Sequence, residues 1–330
     1  MTKVLVLGAS GYLGSHVTKQ LVAAGRDVRI FVRPTSDTRA TDPLGVEKCF
    51  GDVLDHQAVA AAMAGCDIVY HCIVDTRCWL RDTAPLFRVN VDGLRVVMDV
   101  ALTARVSRFV FTSSFVTIHN KGGRATEVDE IPDGTDLPDY IRSRLQAERL
   151  LQQYCRDKGL PGIACCVGST YGDGDHAPTP HGNSLRMAAQ GRMPFYWHGG
   201  SPVIGVKDAA RAMLQAEKYG EVGERYIIAE RWMDYRELFS LAAAAAGTRP
   251  PRLRLPLPLL RLLGLCSEVV TRLLGKENML NRDTIRCSLY LTHTDPGRAI
   301  TRLRWRPRPV EESIREAVQF FAEADPDPVR

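Results

Sequence analysis

The sequence predicts an α/β fold, a doubly wound parallel sheet with a smaller, mostly helical C-terminal lobe. Three observations carry that expectation. Val4-Leu5-Val6-Leu7 is a four-residue apolar run that enters Gly8, Gly11 and Gly14, three glycines at three-residue spacing. Short apolar runs then alternate with helical stretches as far as Val167, the pattern of strands connected by crossover helices. Beyond Gly168 the alternation gives way to aromatic and glycine-rich loops and to helices.

Bulk properties set the limits. The chain has 330 residues, 45% hydrophobic and 25% charged, enough for one large domain or one plus a smaller lobe. The expected units are 1–168 and 169–330, with 206–229 returning to the first. A net charge of +5 is small for this length, and Arg302, Arg304, Arg306 and Arg308 read as a solvated edge, so no nucleic-acid partner is expected. Nine cysteines without a Cys-x-x-Cys pair fit free thiols in a reducing cytoplasm better than disulfides or zinc. Met-Thr-Lys leads directly into a strand, so no signal peptide is expected. Leu255 to Leu274 is apolar but interrupted by Pro256, Pro258, Arg261, Glu268 and Arg272, which excludes a bilayer span. It reads as a core or lid helix, with an interfacial helix as the alternative.

Each element follows from local pattern. Val4 to Leu7 is a strand buried on both faces, and Ser15 to Ala24 the helix after the glycine turn. Strand, glycine turn and helix N-terminus together form an anion site, with backbone N–H groups and the helix dipole aimed at a phosphate. Gly8 turns the chain, Gly11 admits a pyrophosphate and Gly14 lets helix pack on strand. Further strands are expected at Asp27–Val32, Val46–Phe50, Asp67–Cys72, Arg108–Thr112 and Ile163–Val167, with helices at Gln57–Met63, Pro85–Thr103 and Tyr140–Lys158. Asp55 is the cap of the first of these helices. After a loop at 169–175, helices are expected at Asn183–Gly191, Val206–Tyr219, Asp234–Ala246 and Pro309–Ala322, with a strand at Arg225–Ala229.

Candidate site residues sit at the strand ends. Arg33, at the end of the second strand with Ser36 and Arg39 nearby, accommodates a 2′-phosphate where an acidic residue would take a ribose hydroxyl, predicting NADP(H) over NAD(H). Asp52 can accept from an adenine amino group while Val53 packs on the ring. Asn90 is either a solvated position or a tie from its helix to the loop beyond the next strand. Thr112-Ser113-Ser114 places hydroxyls at the carboxyl end of a central strand. Tyr140 and Arg144 share a helix face, and a guanidinium beside a phenol should lower its pKa and fit it for acid/base work on a carbinol oxygen. His176 and His181, with Asp173 and Asp175, lack the further ligands of a metal site and are expected to flank a substrate entrance.

The glycine turn, Phe111-Thr112-Ser113-Ser114, Tyr140-Ile141-Arg142-Ser143-Arg144, Tyr171-Gly172-Asp173-Gly174-Asp175 and Gly223-Glu224-Arg225-Tyr226 resemble the signatures of the extended short-chain dehydrogenase/reductases. The chain is most similar to the dihydroflavonol-reductase and 3β-hydroxysteroid-dehydrogenase branch, often grouped with NAD-dependent epimerase/dehydratases. The resemblance implies a Rossmann domain, a C-terminal substrate lobe and hydride transfer at nicotinamide C4. Position by position, it implies a cofactor held by Gly8, Ser10, Gly11, Tyr12, Leu13, Gly14, Asp52, Val53, Cys72, Asn90 and Thr112. Ser114 would polarise the substrate, with Ser113 the alternative one register away, and Tyr140 would be the acid/base. Arg144 departs from the family lysine: it can bind the ribose and favour phenolate but cannot relay a proton. Val167-Gly168 departs from an Arg-Pro or Asn-Pro pair.

Thr76 and Trp79 in the loop after the fourth strand, Ser114, Tyr171 and Trp197, together with Phe195, Tyr196, Trp232 and the Leu255–Leu274 cover, suggest an apolar pocket. The expected function is therefore interconversion of a hydroxyl and a ketone on a bulky apolar substrate, steroid-, isoprenoid- or polyketide-like. No acidic pair follows Thr112, which counts against a dehydratase. A nucleotide-sugar epimerase and a non-catalytic NADP-binding sensor are the alternatives. A homodimer is expected through helices 85–103 and 140–158, with Val96, Val97, Val100 and Leu102 as the suggestive apolar positions.

Overall fold

A computed structural model of the chain describes residues 2–120, 123–274 and 277–324. The outer ends of the two expected units, and residues 121–122 of the polar excursion, lie outside the described residues. The strands are β1 (Lys3–Leu7), β2 (Asp27–Val32), β3 (Glu47–Phe50), β4 (Ile68–His71), β5 (Arg108–Ser114) and β6 (Gly162–Val167), then β7 (Ser169–Tyr171), β8 (Phe195–Tyr196), β9 (Gly200–Gly205), β10 (Arg225–Ile228), β11 (Arg231–Asp234) and β12 (Leu253–Arg254). The first helices are α1 (Tyr12–Ala23), α2 (His56–Met63), α3 (Ala84–Phe87), α4 (Leu94–Ala104), α5 (Asp139–Lys158) and α6 (Pro180–Ala189). There follow α7 (Val206–Tyr219), α8 (Tyr235–Ala245), α9 (Leu257–Leu273), α10 (Arg282–Tyr290), α11 (Gly297–Arg302) and α12 (Val310–Ala324).

Seven strands form one parallel sheet in the order β10-β6-β5-β4-β1-β2-β3. Strand order reverses between β1 and β4, which opens a crevice beyond their carboxyl ends. Val4, Leu5, Val6 and Leu7 are fully buried because helices cover both faces. On one face α1 and α7 pack with Ala299, Leu303 and Trp305; on the other lie α2, α4 and α5. A second core joins Tyr171, Leu185, Met233 and Phe239 to α12. Its small sheet, β11-β9-β7, takes up the chain just past the carboxyl ends of β6 and β10, which β7 and β11 directly follow.

Several local expectations change. The helix expected over 85–103 is interrupted by a π-helical turn at Arg88–Gly93, a widening that such turns often show at functional sites. Gly93 is pressed on Val53, whose Cγ1 lies 2.7 Å from where a Cβ would sit. The loop expected at 169–175 begins as β7, and β11, α10 and α11 have no counterpart in the sequence reading. Val97 and Val100, suggestive of a dimer face, are buried inside the core, while Val96 and Leu102 are only partly buried. The arginine edge is not uniformly solvated: Arg308 pairs with Asp208 at 3.1 Å beneath Trp305, whose Nε1 donates to the Asp208 carbonyl at 3.0 Å.

Candidate active site

The glycine turn is built by close approach. Gly8 has φ +81°, and a Cβ there would lie 2.8 Å from the Cys72 and Ile73 backbone. A Cβ on Gly14 would sit 2.2 Å from the Gly8 carbonyl oxygen, so β1, β4 and α1 can meet only with glycine at both places. Gly11 caps α1, leaving the first N–H groups of the helix directed at the crevice. Ser10, Tyr12 and Leu13 line the same opening.

Tyr140 and Arg144, one turn apart at the start of α5, face the crevice. Arg144 is 1% exposed. Its Nη2 donates to the Thr112 carbonyl, and its guanidinium lies 5.3 Å over the Phe111 ring. Its Nε and Nη1 have no partner among the described residues. A buried cation with unpartnered donors beside a cavity is a receptor for oxygen ligands. Under it, burial and then the Arg144 charge hold His71 neutral, with its pKa lowered to about 3.

The phenol does not behave as expected. Burial raises the Tyr140 pKa above its ordinary value, outweighing Arg144 and a hydrogen bond with Ser114, both of which lower it. Of the two adjacent serines, Ser113 is committed to Glu148, while Ser114 meets Tyr140 and accepts from the Val116 N–H at 3.5 Å. Glu148 was not found from the sequence, although it lies four residues beyond Arg144 on the same face. It also accepts from Thr117 at 2.8 Å and pairs with Arg225 at 2.8 Å, all of it buried.

The remaining expected residues divide. Cys72, Thr76, Thr112 and Tyr171 line the cavity. Burial pushes the Cys72 thiol up to about 12, so it is a neutral wall group. Asn90 ties backward, not forward: it bridges the Asp75 N–H (2.8 Å) and carbonyl (3.1 Å) after the preceding strand and reaches Ser143 at 3.1 Å. The next-strand tie is thereby corrected, because the π-helical turn swings Asn90 toward β4. Arg33 is exposed and Ser36 half-buried at the end of β2; neither lines the cavity, whereas Arg39, paired with Asp37 at 2.7 Å, does. Asp52 is exposed and accepts from the Leu54 N–H at 2.9 Å, and Val53 packs in the core. Trp79 lies off the cavity, held through its carbonyl by Asn281 at 2.9 Å. Trp232 is also off it, stacked on His293 at 4.1 Å.

The cavity has a volume of about 800 Å³. Its inner end is the glycine turn and Tyr140; its outer part is walled by Met187, Phe195, Trp197, Phe239 and Leu260, with Leu263 beside them. Thr284, Ile285 and Cys287 of α10 also line it, residues for which no local sequence signal exists because their loop partner, Cys78, is distant in the chain. Arg39 and Arg144 are its arginines, and no lysine is among its described lining residues. His176 and His181 stand at its wall, with burial lowering both pKa values, that of His181 to about 4.

A family model described as the NAD dependent epimerase/dehydratase family matches residues 4–229. The chain belongs to that family. It is an oxidoreductase of the extended short-chain dehydrogenase/reductase type, with the Rossmann fold its sheet displays. It is similar to sterol demethylase protein B of Methylococcus capsulatus, 29% identical over 327 residues, covering 97% of this chain and 98% of the relative. It is also similar to the 4-hydroxy-2-methyl-3-oxo-4-farnesyl-3,4-dihydroquinoline-1-oxide ketoreductase of Stigmatella aurantiaca, 26% identical, covering 87% and 91%. The crystal structure of gox2253 superimposes with a TM-score of 0.87 at 31% identity, covering 98% of this chain and 99% of that one. A nicotinamide dinucleotide fits the residues present: Gly11 caps α1 at the cavity with no side chain between a phosphate and the first helix N–H groups, and Arg144 holds unused donors.

Proposed function

We propose that the protein interconverts a hydroxyl and a ketone on a bulky apolar substrate, with Tyr140 as the acid/base. The observation that carries this reading is the meeting of Tyr140, Ser114 and the unpartnered donors of Arg144 at the inner end of an apolar cavity. Bound nicotinamide supplies or accepts the hydride. Ser114 donates to the substrate oxygen, and Tyr140 gives its phenolic proton to that oxygen in the reductive direction or takes one in the oxidative direction. Arg144 binds ribose hydroxyls and offsets phenolate charge, but it stays protonated, so the second proton exchange runs through solvent.

NADP(H) is preferred over NAD(H) in this reading, with Arg33, Ser36 and Arg39 receiving the 2′-phosphate. Equal or tighter binding of NAD(H) would contradict it. The similarity to a sterol protein and a farnesylated-quinoline ketoreductase supports an apolar substrate, as do the wall residues. A nucleotide-sugar substrate is disfavoured by the scarcity of cations in the cavity; thermal stabilisation by a nucleotide sugar would reverse that judgement. The deciding experiment is Tyr140→Phe assayed against a panel of apolar ketones, with cofactor affinity measured in parallel. Loss of turnover with affinity retained supports the proposal, whereas turnover that survives the substitution removes Tyr140 from the chemistry.

A further inference from the structure

Helix α9 presents to solvent what a helix normally hides. Its sequence, LPLLRLLGLCSEVVTRL, has a single acidic residue. Leu260 is buried, and Gly264 faces α10, where a Cβ would lie 2.4 Å from the Ile285 Cδ1. That contact uses one side of the helix. On the other side Leu259, Leu262, Cys266, Val269 and Leu273 recur at three- and four-residue steps and are all exposed, Leu262 to 54% and Leu273 to 82%. Leu265 and Val270 widen the stripe. A continuous apolar surface of several turns is a contact site rather than ordinary surface.

Charge identifies the occupant. Arg249, Arg252, Arg254 and Arg261 are exposed around the start of this helix, with no ion-pair partner among the described residues. An anionic lipid surface neutralises that cationic rim while the apolar stripe enters the acyl layer beneath it. No helix among the described residues is long and apolar enough to cross a membrane, so the geometry is that of a helix lying in the interface plane.

We propose that α9 docks the protein on the surface of an anionic bilayer, with the apolar stripe among the acyl chains and the arginine rim at the headgroups. The consequence for the cavity rests on the apolar-substrate reading given above. Leu260 and Leu263 line the cavity, while Leu262 and Val269 on the same helix face outward, so docking places one wall of the cavity at the lipid surface. An apolar ketone dissolved in the bilayer then reaches Tyr140 without crossing water.

The test is flotation of the intact protein with vesicles of phosphatidylcholine alone and of equal parts phosphatidylcholine and phosphatidylglycerol. Binding to the anionic vesicles, weakened by salt, is expected. Leu262→Glu combined with Val269→Glu, both outside the cavity wall, should lower the bound fraction about tenfold or more while leaving turnover of a water-soluble ketone unchanged. No binding, equal binding to neutral vesicles, or a dimer that the same substitutions dissolve would each overturn the proposal. Failure to turn over any ketone would instead remove the substrate reading and leave the vesicle result standing.

Discussion

The Ser113 hydroxyl donates to the buried carboxylate of Glu148, and that bond decides which of two neighbouring serines serves Tyr140. With Ser113 committed to Glu148 and its pair with Arg225, Ser114, one position nearer the carboxyl end of β5, is left for the phenol at the start of α5. Ser114→Ala should therefore lower kcat by about 10²-fold, and Ser113→Ala should leave kcat within a few-fold while lowering stability. Steady-state kinetics on both variants checks this; equal losses would mean the register assignment is wrong.

Glu148 holds a site wall together through Arg225, Thr117 and Ser113. Removing one partner of a buried pair leaves an uncompensated charge, at a cost of about 3–5 kcal/mol. Glu148→Ala should lose that much in urea unfolding. A loss near zero would place the pair in solvent contact.

Arg144 touches the Thr112 carbonyl and keeps two further donor atoms unused. Lysine at this position is shorter and cannot hold the carbonyl and present a fork at once. Arg144→Lys should weaken cofactor binding about tenfold, the scale of one charge-assisted hydrogen bond. Fluorescence titration reads the change; tighter binding would mean that arginine is a handicap carried by the site.

The fold was largely legible, since the glycine turn and the strand–helix alternation are local signals. Tyr140 and Arg144 were legible for the same reason: spacing on one helix fixes a shared face. The direction of the Tyr140 shift was not, because a sequence displays the neighbouring charge but not the burial that outweighs it. Nor was the π-helical turn that aims Asn90 backward, or the cavity wall from α10, which depends on contacts such as Cys78 with Thr284 across 206 positions. The aromatics Trp79 and Trp232 misled because bulk alone does not distinguish a pocket wall from a packed surface.

Asp175 lines the cavity, and burial raises its pKa from the ordinary 3.8 to about 6 even though it accepts from the Thr179 N–H and hydroxyl. The folded state thus binds a proton that the unfolded state releases earlier. Its contribution to stability is complete below about pH 4 and is lost as pH rises through about 6, a change of about 2–3 kcal/mol. Asp175→Asn should flatten the stability profile across that window in denaturant titrations at stepped pH. Superimposable profiles for the two proteins would contradict the shift.

Transfer of deuterium from a nicotinamide labelled at C4 to the carbinol carbon of a bulky apolar ketone, followed by mass spectrometry, tests the central claim most directly. The account predicts alcohol carrying one deuterium from the native protein and almost no alcohol from Tyr140→Phe. Unlabelled alcohol from the native protein, or equal amounts of labelled alcohol from both, would contradict it.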